Sequence, residues 1–209
     1  MDGTILNTAP GILRSVDEMI RQCGLSDISR QKKNAMIGPP INQSIARVWG
    51  LSEERTQQAA AVFRSLYAEK YLMYAEPYPG ILELLNKLRA AGWKVGVATY
   101  KRDDYAQRLM KEKGVTQACD FVLGSDGKKQ TKADIIRVCL RELQGMPDQS
   151  IMIGDTVHDL TGAQNAGLCF LGVCYGYGFK SKEEILQCGA QYAAVDANEL
   201  ENKLMEIGG

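Results

Sequence analysis

The sequence predicts an α/β protein, a core in which a parallel sheet is flanked by helices, with a small α-helical bundle inserted near the N-terminus. Two observations lead to this fold class. Between residues 9 and 78 the apolar positions recur at helical spacing, whereas from residue 79 onward short apolar runs alternate with amphipathic stretches. Such alternation is typical of strands joined by helical crossovers. We therefore predict a core domain of residues 1–8 and 79–209 and a helical domain of residues 9–78.

Four helices are predicted in the helical domain. They cover the stretches "APGILRSVDEMIRQCG", "ISRQKKNAMIG", "INQSIARVWG" and "SEERTQQAAAVFRSLYAEKYLMYA". In the first of them, Ile12, Val16 and Met19 share one face and Gly24 is a stop signal. Ser52 is a suitable N-cap for the fourth. Because their apolar faces need one another, we expect these helices to form a small bundle.

The core domain is predicted to alternate helices and strands. The predicted helices are "GILELLNKLRAAG", "DDYAQRLMKEKG", "KADIIRVCLREL", "LTGAQNAG", "SKEEILQCG" and "NELENKLMEI". The predicted strands between them are "WKVGVAT", "CDFVLG", "QSIMIGD", "CFLGVCYG" and "YAAV". Ligands of open parallel sheets bind beyond the carboxyl ends of the strands. The residues to inspect are therefore Thr99, Asp155 and, at the start of the chain with no strand before it, Asp2.

The composition limits the classes of molecule that the protein is expected to bind. Of the 209 residues 45% are hydrophobic, and 25 Lys and Arg balance 25 Asp and Glu. A formal net charge of zero argues against nucleic acid or an anionic membrane as the main partner, because both attract basic surfaces. The six cysteines form no C-x-x-C pair and the chain has one histidine, which argues against zinc. We expect a reduced, cytoplasmic protein, monomeric or homodimeric, with no membrane span.

Four short motifs occur in order at the predicted strand and helix ends. They are Asp2-Gly3-Thr4, Thr99, Lys132 and "GDTVHD". In order and position they resemble the motifs of haloacid-dehalogenase-like phosphatases, which are D-x-D-G-[TV], a Thr or Ser, a Lys, and G-D-x-x-x-D. The stretches "DGTILNTAP", "GPPINQSI" and "YPGI" are most similar to the phosphoglycolate phosphatase group. The resemblance covers the whole chain. It implies a Rossmann-like parallel sheet with a helical cap inserted after the first motif, and a magnesium-dependent phosphatase of a small phosphorylated metabolite.

The resemblance implies hydrolysis through an aspartyl-phosphate. A first carboxylate attacks phosphorus, and a second, two residues later on the same face of a strand, donates and accepts a proton. Asp2 fits the second role, and its alternative is an ordinary turn aspartate before glycine. The Thr99 hydroxyl and the Tyr100 N–H would bind phosphoryl oxygens. The alternative for Thr99 is a β-branched residue that merely ends a strand.

Lys132 stands at the start of a predicted helix, where a cation opposes the helix dipole. The resemblance implies a charge clamp between the phosphoryl group and the nucleophile. A solvated lysine is the alternative, and Lys128 and Lys129 lie nearby. The residues alone do not choose among the three lysines, and the family pattern favours Lys132.

Asp155 follows an apolar strand and a glycine, a position that suits Mg²⁺, which takes few carboxylates and bridges to phosphate. The predicted metal set is Asp2, Asp155 and Asp159. Asp159 could instead orient Lys132 or cap the next helix. We interpret His158 as a surface residue, because Asp2 already supplies the proton carrier.

The cap would close over the site and select the substrate. Its candidate contacts are the loop "IGPPIN" and Arg14 or Arg47, since arginine suits a carboxylate or a second phosphate. Ordinary surface arginines are the alternative at both positions.

The family's nucleophile and the apolar strand that carries it would precede Met1, and the sequence does not contain them. We expect the translation product to start upstream, because losing a central parallel strand leaves backbone groups unpaired at about 1–3 kcal/mol each. The chain as given is expected to be a poor or inactive phosphatase. A β-phosphoglucomutase-like mutase and a catalytically inactive binding protein on the same fold are the alternative functions.

Overall fold

The structure of the protein is a computed structural model that describes residues 1–126 and 131–208. The alternative lysines Lys128 and Lys129 lie outside the described residues. The chain divides into two compact units, an α/β unit of Met1–Asn7 and Glu76–Gly209 and a helical unit of Thr8–Ala75. In the described ranges, we find no helix with both the length and the apolar character needed to cross a bilayer.

The described elements include seven strands and ten α-helices. The strands are β1 (Leu6–Asn7), β2 (Glu76–Pro77), β3 (Gly96–Arg102), β4 (Phe121–Ser125), β5 (Ile151–Gly154), β6 (Cys169–Val173) and β7 (Tyr192–Ala194). The helices are α1 (Ala9–Gln22), α2 (Arg30–Asn34), α3 (Ile41–Trp49), α4 (Glu53–Leu66), α5 (Ile81–Ala90), α6 (Asp103–Glu112), α7 (Lys132–Leu143), α8 (Val157–Ala166), α9 (Lys182–Gln187) and α10 (Ala197–Gly208).

The α/β unit has the parallel strands and flanking helices that the sequence predicts. Strand β3 is parallel to β4, and β5, β6 and β7 form a parallel group with β6 in the middle. In addition, β1 and β2 form a short antiparallel pair. The fold class is thus confirmed, but the single parallel sheet that the alternation suggests is present as two groups. Among the described residues no strand lies between β3 and β5 to join them.

An apolar cavity of about 140 Å³ lies where the two parallel groups face each other. One side of its lining is the backbone and side chains of β3, and the other is β5. The rest comes from the start of the chain and from two helices: Met1, Ile5, Leu84, Leu85, Leu200 and Leu204. The division of the sheet therefore leaves a largely apolar pocket between β3 and β5.

Helices α7 and α8 begin beside the predicted site, and both start with a capping box. The Thr131 side chain accepts from the Asp134 amide while the Asp134 carboxylate accepts from the Thr131 amide, and Thr156 and Asp159 repeat the pattern. Gly162 on α8 allows the two helices to pack closely, because a Cβ there would lie 2.4 Å from Lys132 Cγ. These caps fix where the polar residues at the helix starts stand.

The helical unit contains the four predicted helices, with one difference in the last. Helix α4 ends at Leu66, and the chain continues as a wider π-helical turn over Tyr67–Tyr71. The Phe63 and Tyr67 rings stack with centroids 5.9 Å apart. The turn brings the Tyr71 hydroxyl onto Glu18 of α1, to which it donates a hydrogen bond. This tertiary contact between two helices has no counterpart in the local sequence pattern.

Candidate active site

Asp2, Gly3 and Thr4 form a turn that contacts Asp155 directly. Gly3 has a φ of +74°, and a Cβ at this position would lie 2.0 Å from Asp155 Oδ2. The Thr4 hydroxyl donates to Asp155 Oδ1 at 3.2 Å. The order Asp-Gly-Thr therefore has a physical reason beyond the turn itself. Glycine permits the close approach of the carboxylate, and threonine supplies a hydrogen bond to it.

Asp2 forms an ion pair that the sequence analysis missed. Lys101 Nζ lies 3.1 Å from Asp2 Oδ1, and the two side chains are only 8% and 18% exposed. The predicted strand ended at Thr99, but β3 continues to Arg102. Residues two apart on a strand share a face, so a longer strand would have placed Lys101 beside Thr99 in the sequence analysis.

Thr99 and Tyr100 lie at the carboxyl-terminal end of β3. Thr99 is buried, and its Oγ1 accepts a hydrogen bond from the Lys101 amide at 3.1 Å. The hydroxyl can therefore still donate its own hydrogen. The Tyr100 ring is 41% exposed, with the Lys132 ammonium 5.5 Å from its centroid. Their phosphate-binding role remains a prediction.

Lys132 is buried, with 6% of its surface exposed, so the alternative of a solvated lysine is wrong. Its ammonium lies 2.7 Å from Asp159 Oδ1 and donates to the Ala98 carbonyl oxygen at 2.9 Å. Burial raises the pKa of Asp159, but Lys132, the Met1 α-amine and the Thr156 hydroxyl together outweigh burial, and the pKa is lowered. Asp159 is thus the ion-pair partner of Lys132, and the N-cap residue of α8 is Thr156 rather than Asp159.

Asp155 is the most buried of the three aspartates, with 1% of its surface exposed. It accepts hydrogen bonds from the Tyr177 amide at 2.8 Å and from Thr4. Burial raises the pKa of Asp155, and the neighbouring Asp159 charge raises it further. No lysine or arginine in the described part of the chain is within ion-pair distance of it. A buried carboxylate of this kind fits a hard divalent cation, which would offset the cost of its burial.

The other two predicted metal ligands, Asp2 and Asp159, fit a cation less well than Asp155 does. Lys101 holds Asp2, and Lys132 holds Asp159. Within residues 1–126 and 131–208 no three acidic, histidine or cysteine side chains are grouped as metal ligands. The set of Asp2, Asp155 and Asp159 therefore remains a prediction, with Asp155 as the residue that fits best.

The Met1 α-amine is buried near the charged groups of the site. Burial and the Lys132 ammonium lower the pKa of this amine, whereas Asp2, Asp159 and Asp155 oppose them. The charged side chains that act on this amine come from four places: Asp2 in the turn, Lys132 on α7, Asp155 directly after β5, and Asp159 on α8. The Ala98 carbonyl, which accepts from the same lysine, joins the end of β3 to this cluster.

Three other residues singled out in the sequence are exposed. Arg14 lies over the Tyr74 ring at 4.4 Å from its centroid, and Arg47 donates to the Ala35 carbonyl oxygen at 3.3 Å. His158 is exposed on α8. Both arginines therefore have a partner within the helical unit, in agreement with the alternative of ordinary surface residues.

The fold and the site together define the class: an α/β protein with parallel strands, a helical insertion, and a cluster of carboxylates and lysines where the strands end. The chain matches the haloacid dehalogenase-like hydrolase family over residues 1–173 and belongs to this family. The resemblance predicted from the motifs is therefore confirmed.

Relatives with named activities fall into more than one group. The chain is 31% identical to a 5′-nucleotidase of Pseudomonas aeruginosa, covering 88% of this chain and 84% of the relative. It is 30% identical to a phosphoglycolate phosphatase of Rhodospirillum rubrum, covering 91% and 82%. It is also 30% identical to the tyrosine-protein kinase PtkA of Mycobacterium tuberculosis over 85% of this chain. The chain spans only 61% of the length of PtkA.

A solved structure of the same family has a closely similar fold. The haloacid dehalogenase-like hydrolase SP0104 of Streptococcus pneumoniae superposes with a TM-score of 0.90 at 27% identity. The superposition covers 98% of this chain and 95% of that one.

Proposed function

We propose that the protein is a magnesium-dependent phosphatase of small phosphate monoesters, of the size of phosphoglycolate. The observation that carries this proposal is the contact between the Asp2–Gly3–Thr4 turn and the buried Asp155 carboxylate. Phosphoryl transfer needs positioned oxygens and neutralised charge more than it needs covalent chemistry from the protein. The Asp155 carboxylate for the cation and the buried Lys132, paired with Asp159, meet that need.

In this proposal each residue has one task. The Thr99 hydroxyl and the Tyr100 amide bind phosphoryl oxygens, and Lys132, oriented by Asp159, neutralises their charge. Asp2 gives a proton to the leaving oxygen and later accepts one from water. The ion pair with Lys101 holds the Asp2 side chain in place during these proton transfers.

Asp155, with Asp2 and Asp159 beside it, would hold the Mg²⁺. When bound, Mg²⁺ supplies charge neutralisation and orientation to the phosphoryl oxygens. The backbone amide of Tyr177 and the hydroxyl of Thr4 keep the Asp155 carboxylate facing the turn.

The nucleophile in this proposal is an aspartate directly before Met1, a position that the 209-residue sequence does not include. The test compares this chain with two extended versions, which add an apolar strand ending in Asp or, as the matched control, in Asn. We expect release of phosphate from a panel of monoesters by the Asp version alone. Equal release by the Asn version would show that another group attacks phosphorus.

Asp155→Asn in the Asp-extended protein tests the cation assignment. Removing this charge should lower turnover by about 100-fold or more, since single electrostatic groups of active sites contribute on that scale. The panel should include phosphoglycolate, 5′-nucleotides and sugar phosphates. Turnover that is unchanged in Asp155→Asn and insensitive to chelation would contradict the magnesium requirement.

A second candidate function comes from the PtkA relatives, which are named as tyrosine-protein kinases. The same site could transfer a phosphoryl group to a tyrosine hydroxyl instead of water. The chain has two exposed tyrosines, Tyr74 and Tyr100, and Tyr100 adjoins the predicted phosphate-binding Thr99. Incubation with γ-labelled ATP distinguishes the two, because label on a tyrosine of the protein or of an added peptide supports the kinase.

A further inference from the structure

The loop that follows β6, Cys174–Gly178, touches Asp155 through the backbone. The Tyr177 amide donates to Asp155 Oδ2 at 2.8 Å. One residue past the loop, the Phe179 amide donates to the Asp155 carbonyl oxygen at 3.0 Å. The loop therefore holds both the main chain and the carboxylate of Asp155. The proposed function uses only its Tyr177 amide and gives no role to Tyr175.

The same loop reaches the start of the chain through two tyrosine hydroxyls. Tyr175 donates to the Thr4 carbonyl oxygen at 2.9 Å, and Tyr177 donates to Asn7 Oδ1 at 3.0 Å. The Tyr175 ring packs against Tyr78 with centroids 4.7 Å apart. Burial raises the pKa of Tyr175, so its hydroxyl stays protonated and able to donate.

Gly176 lets these contacts form together. A Cβ on this residue would lie 2.4 Å from the Gly3 carbonyl oxygen and 2.5 Å from Asp155 Oδ2. The loop backbone is thus in direct contact with both the turn and the carboxylate. Any larger residue at this position would force apart the loop, the Asp2–Gly3–Thr4 turn or Asp155.

We infer that Tyr175 is a positioning residue: through the Cys174–Gly178 loop it holds the Asp2–Gly3–Thr4 turn against Asp155 and so sets the geometry in which these carboxylates take up a divalent cation. This inference rests on the proposed function. Tyr175 acts through Thr4, which itself donates to Asp155, and it touches no reacting atom. Partners of this kind orient metal ligands without binding the metal.

Tyr175→Phe tests the inference in the 209-residue chain. The probe is Mn²⁺, an oxygen-preferring cation whose binding is followed by electron paramagnetic resonance and calorimetry. We expect the Mn²⁺ affinity to fall about 10-fold, the lower end of the effect of such partners. Tyr192→Phe removes a tyrosine hydroxyl from β7 and serves as the matched control.

Two further variants should lower the Mn²⁺ affinity by different amounts. Tyr177→Phe keeps the backbone amide bond to Asp155 and loses only the bond to Asn7, so its Mn²⁺ affinity should fall less than that of Tyr175→Phe. Gly176→Ala should lower the affinity at least as much as Tyr175→Phe, because the new Cβ separates turn and carboxylate. Unfolding measurements on each variant separate a loss of fold from a loss of orientation.

The inference is overturned if Tyr175→Phe and Tyr192→Phe bind Mn²⁺ equally while both remain folded, or if the unmodified chain binds no Mn²⁺. The titration needs no turnover, so its outcome is distinct from that of the proposed function. A chain that binds Mn²⁺ in the expected order of variants, while its Asp-extended form hydrolyses no monoester, supports the positioning role and contradicts the phosphatase.

Discussion

At the scale of single residues, Gly3 has the most restricted position in the site. Its φ of +74° and the Asp155 carboxylate beside it exclude a side chain for two independent reasons. Gly114 shares the first reason alone, because its φ is +70° and nothing lies within 4 Å of a Cβ built there. Comparing substitutions at Gly3 and Gly114 therefore separates the cost of backbone strain from the cost of contact with Asp155.

Gly3→Ala should destabilise the protein more than Gly114→Ala. The left-handed backbone conformation costs about 1–2 kcal/mol for either alanine. At Gly3 the contact with Asp155 should add a further ~1–3 kcal/mol, the usual cost of overpacking. Urea unfolding measures both. Equal losses of stability would mean that the turn and the carboxylate separate freely.

The Lys101–Asp2 pair should behave as a coupled unit. Both side chains are mostly buried and 3.1 Å apart, so each charge stabilises the other in the folded state. A double-mutant cycle of Lys101→Met and Asp2→Asn should give a coupling energy of about 1–3 kcal/mol in unfolding. Additive effects of the two substitutions would show that the pair contributes nothing to stability.

Sequence reasoning predicted some of these residues and missed others for identifiable reasons. Asp155 and Lys132 stand at a strand end and a helix start, so their placement followed from the motifs. Lys101 and Tyr175 were missed because their partners are far away in the chain. No local pattern relates Tyr175 to Thr4, 171 residues earlier.

At the scale of elements, the π-helical turn after α4 is held by the cluster around Glu18. The Glu18 carboxylate accepts from Tyr71 and forms an ion pair with Lys70 at 3.0 Å. The hydrogen bond from Tyr71, followed by Lys70, lowers the pKa of Glu18 from 4.5 to about 2. The charged form of Glu18 therefore stabilises the folded state.

The sign of the pH dependence follows from this lowered pKa. The contribution of Glu18 to stability is fully present above pH 4.5, the value for the unfolded chain, and is lost as the pH falls through about 2. The melting temperature of Glu18→Gln should thus lie below that of the unmodified protein at pH 7. The difference should shrink by pH 3.

Tyr71→Phe is the control for this prediction, because it removes the hydrogen bond that lowers the pKa of Glu18 most. In that background the effect of Glu18→Gln should depend less on pH. A melting-temperature difference that is constant from pH 7 to pH 3 would contradict the assignment.

Element types were predictable from the sequence because the apolar period distinguishes helices from strands. The four helices of the helical unit and the alternation of the α/β unit followed from it. The end of α4 did not, since the π-helical turn is set by the contact of Tyr71 with Glu18, 53 residues apart in sequence. The continuation of β3 to Lys101 was likewise missed, because polar residues there interrupt the apolar run.

At the scale of the whole molecule, the α/β unit has two groups of parallel strands, and its strands differ in how many neighbouring strands they are hydrogen-bonded to. Strand β6 is paired on both sides, whereas β3 and β5 are paired on one side each among the described residues. In a parallel ladder, successive residues direct their backbone groups to opposite sides. The unpaired edges of 96–98 in β3 and of 151–153 in β5 therefore face the cavity rather than a partner strand among the described residues.

Hydrogen exchange should report this asymmetry. We expect all amides of β6 to exchange slowly and those of β3 and β5 to alternate between slow and fast, because only half of them are in a ladder. Nuclear magnetic resonance after transfer to D₂O resolves the individual amides. Uniformly slow exchange along β3 and β5 would show that another segment pairs with both.

The fold class could be predicted at this scale. The sequence analysis also expected a central parallel strand that the 209 residues do not contain, and such a strand would pair with two neighbours that are otherwise unpaired on one side. Strand and helix alternation specifies parallel pairing, but pairing order depends on which strands meet in space. The apolar runs of β3 and β5 read alike, and nothing within either indicates that they would face a cavity instead of a neighbour.

The apolar side chains that line the pocket of about 140 Å³ between β3 and β5 lack packed atoms on one side. They therefore forgo part of the dispersion energy that a filled interior would supply. Occupying that space with packed atoms would make the α/β unit both stiffer and more stable.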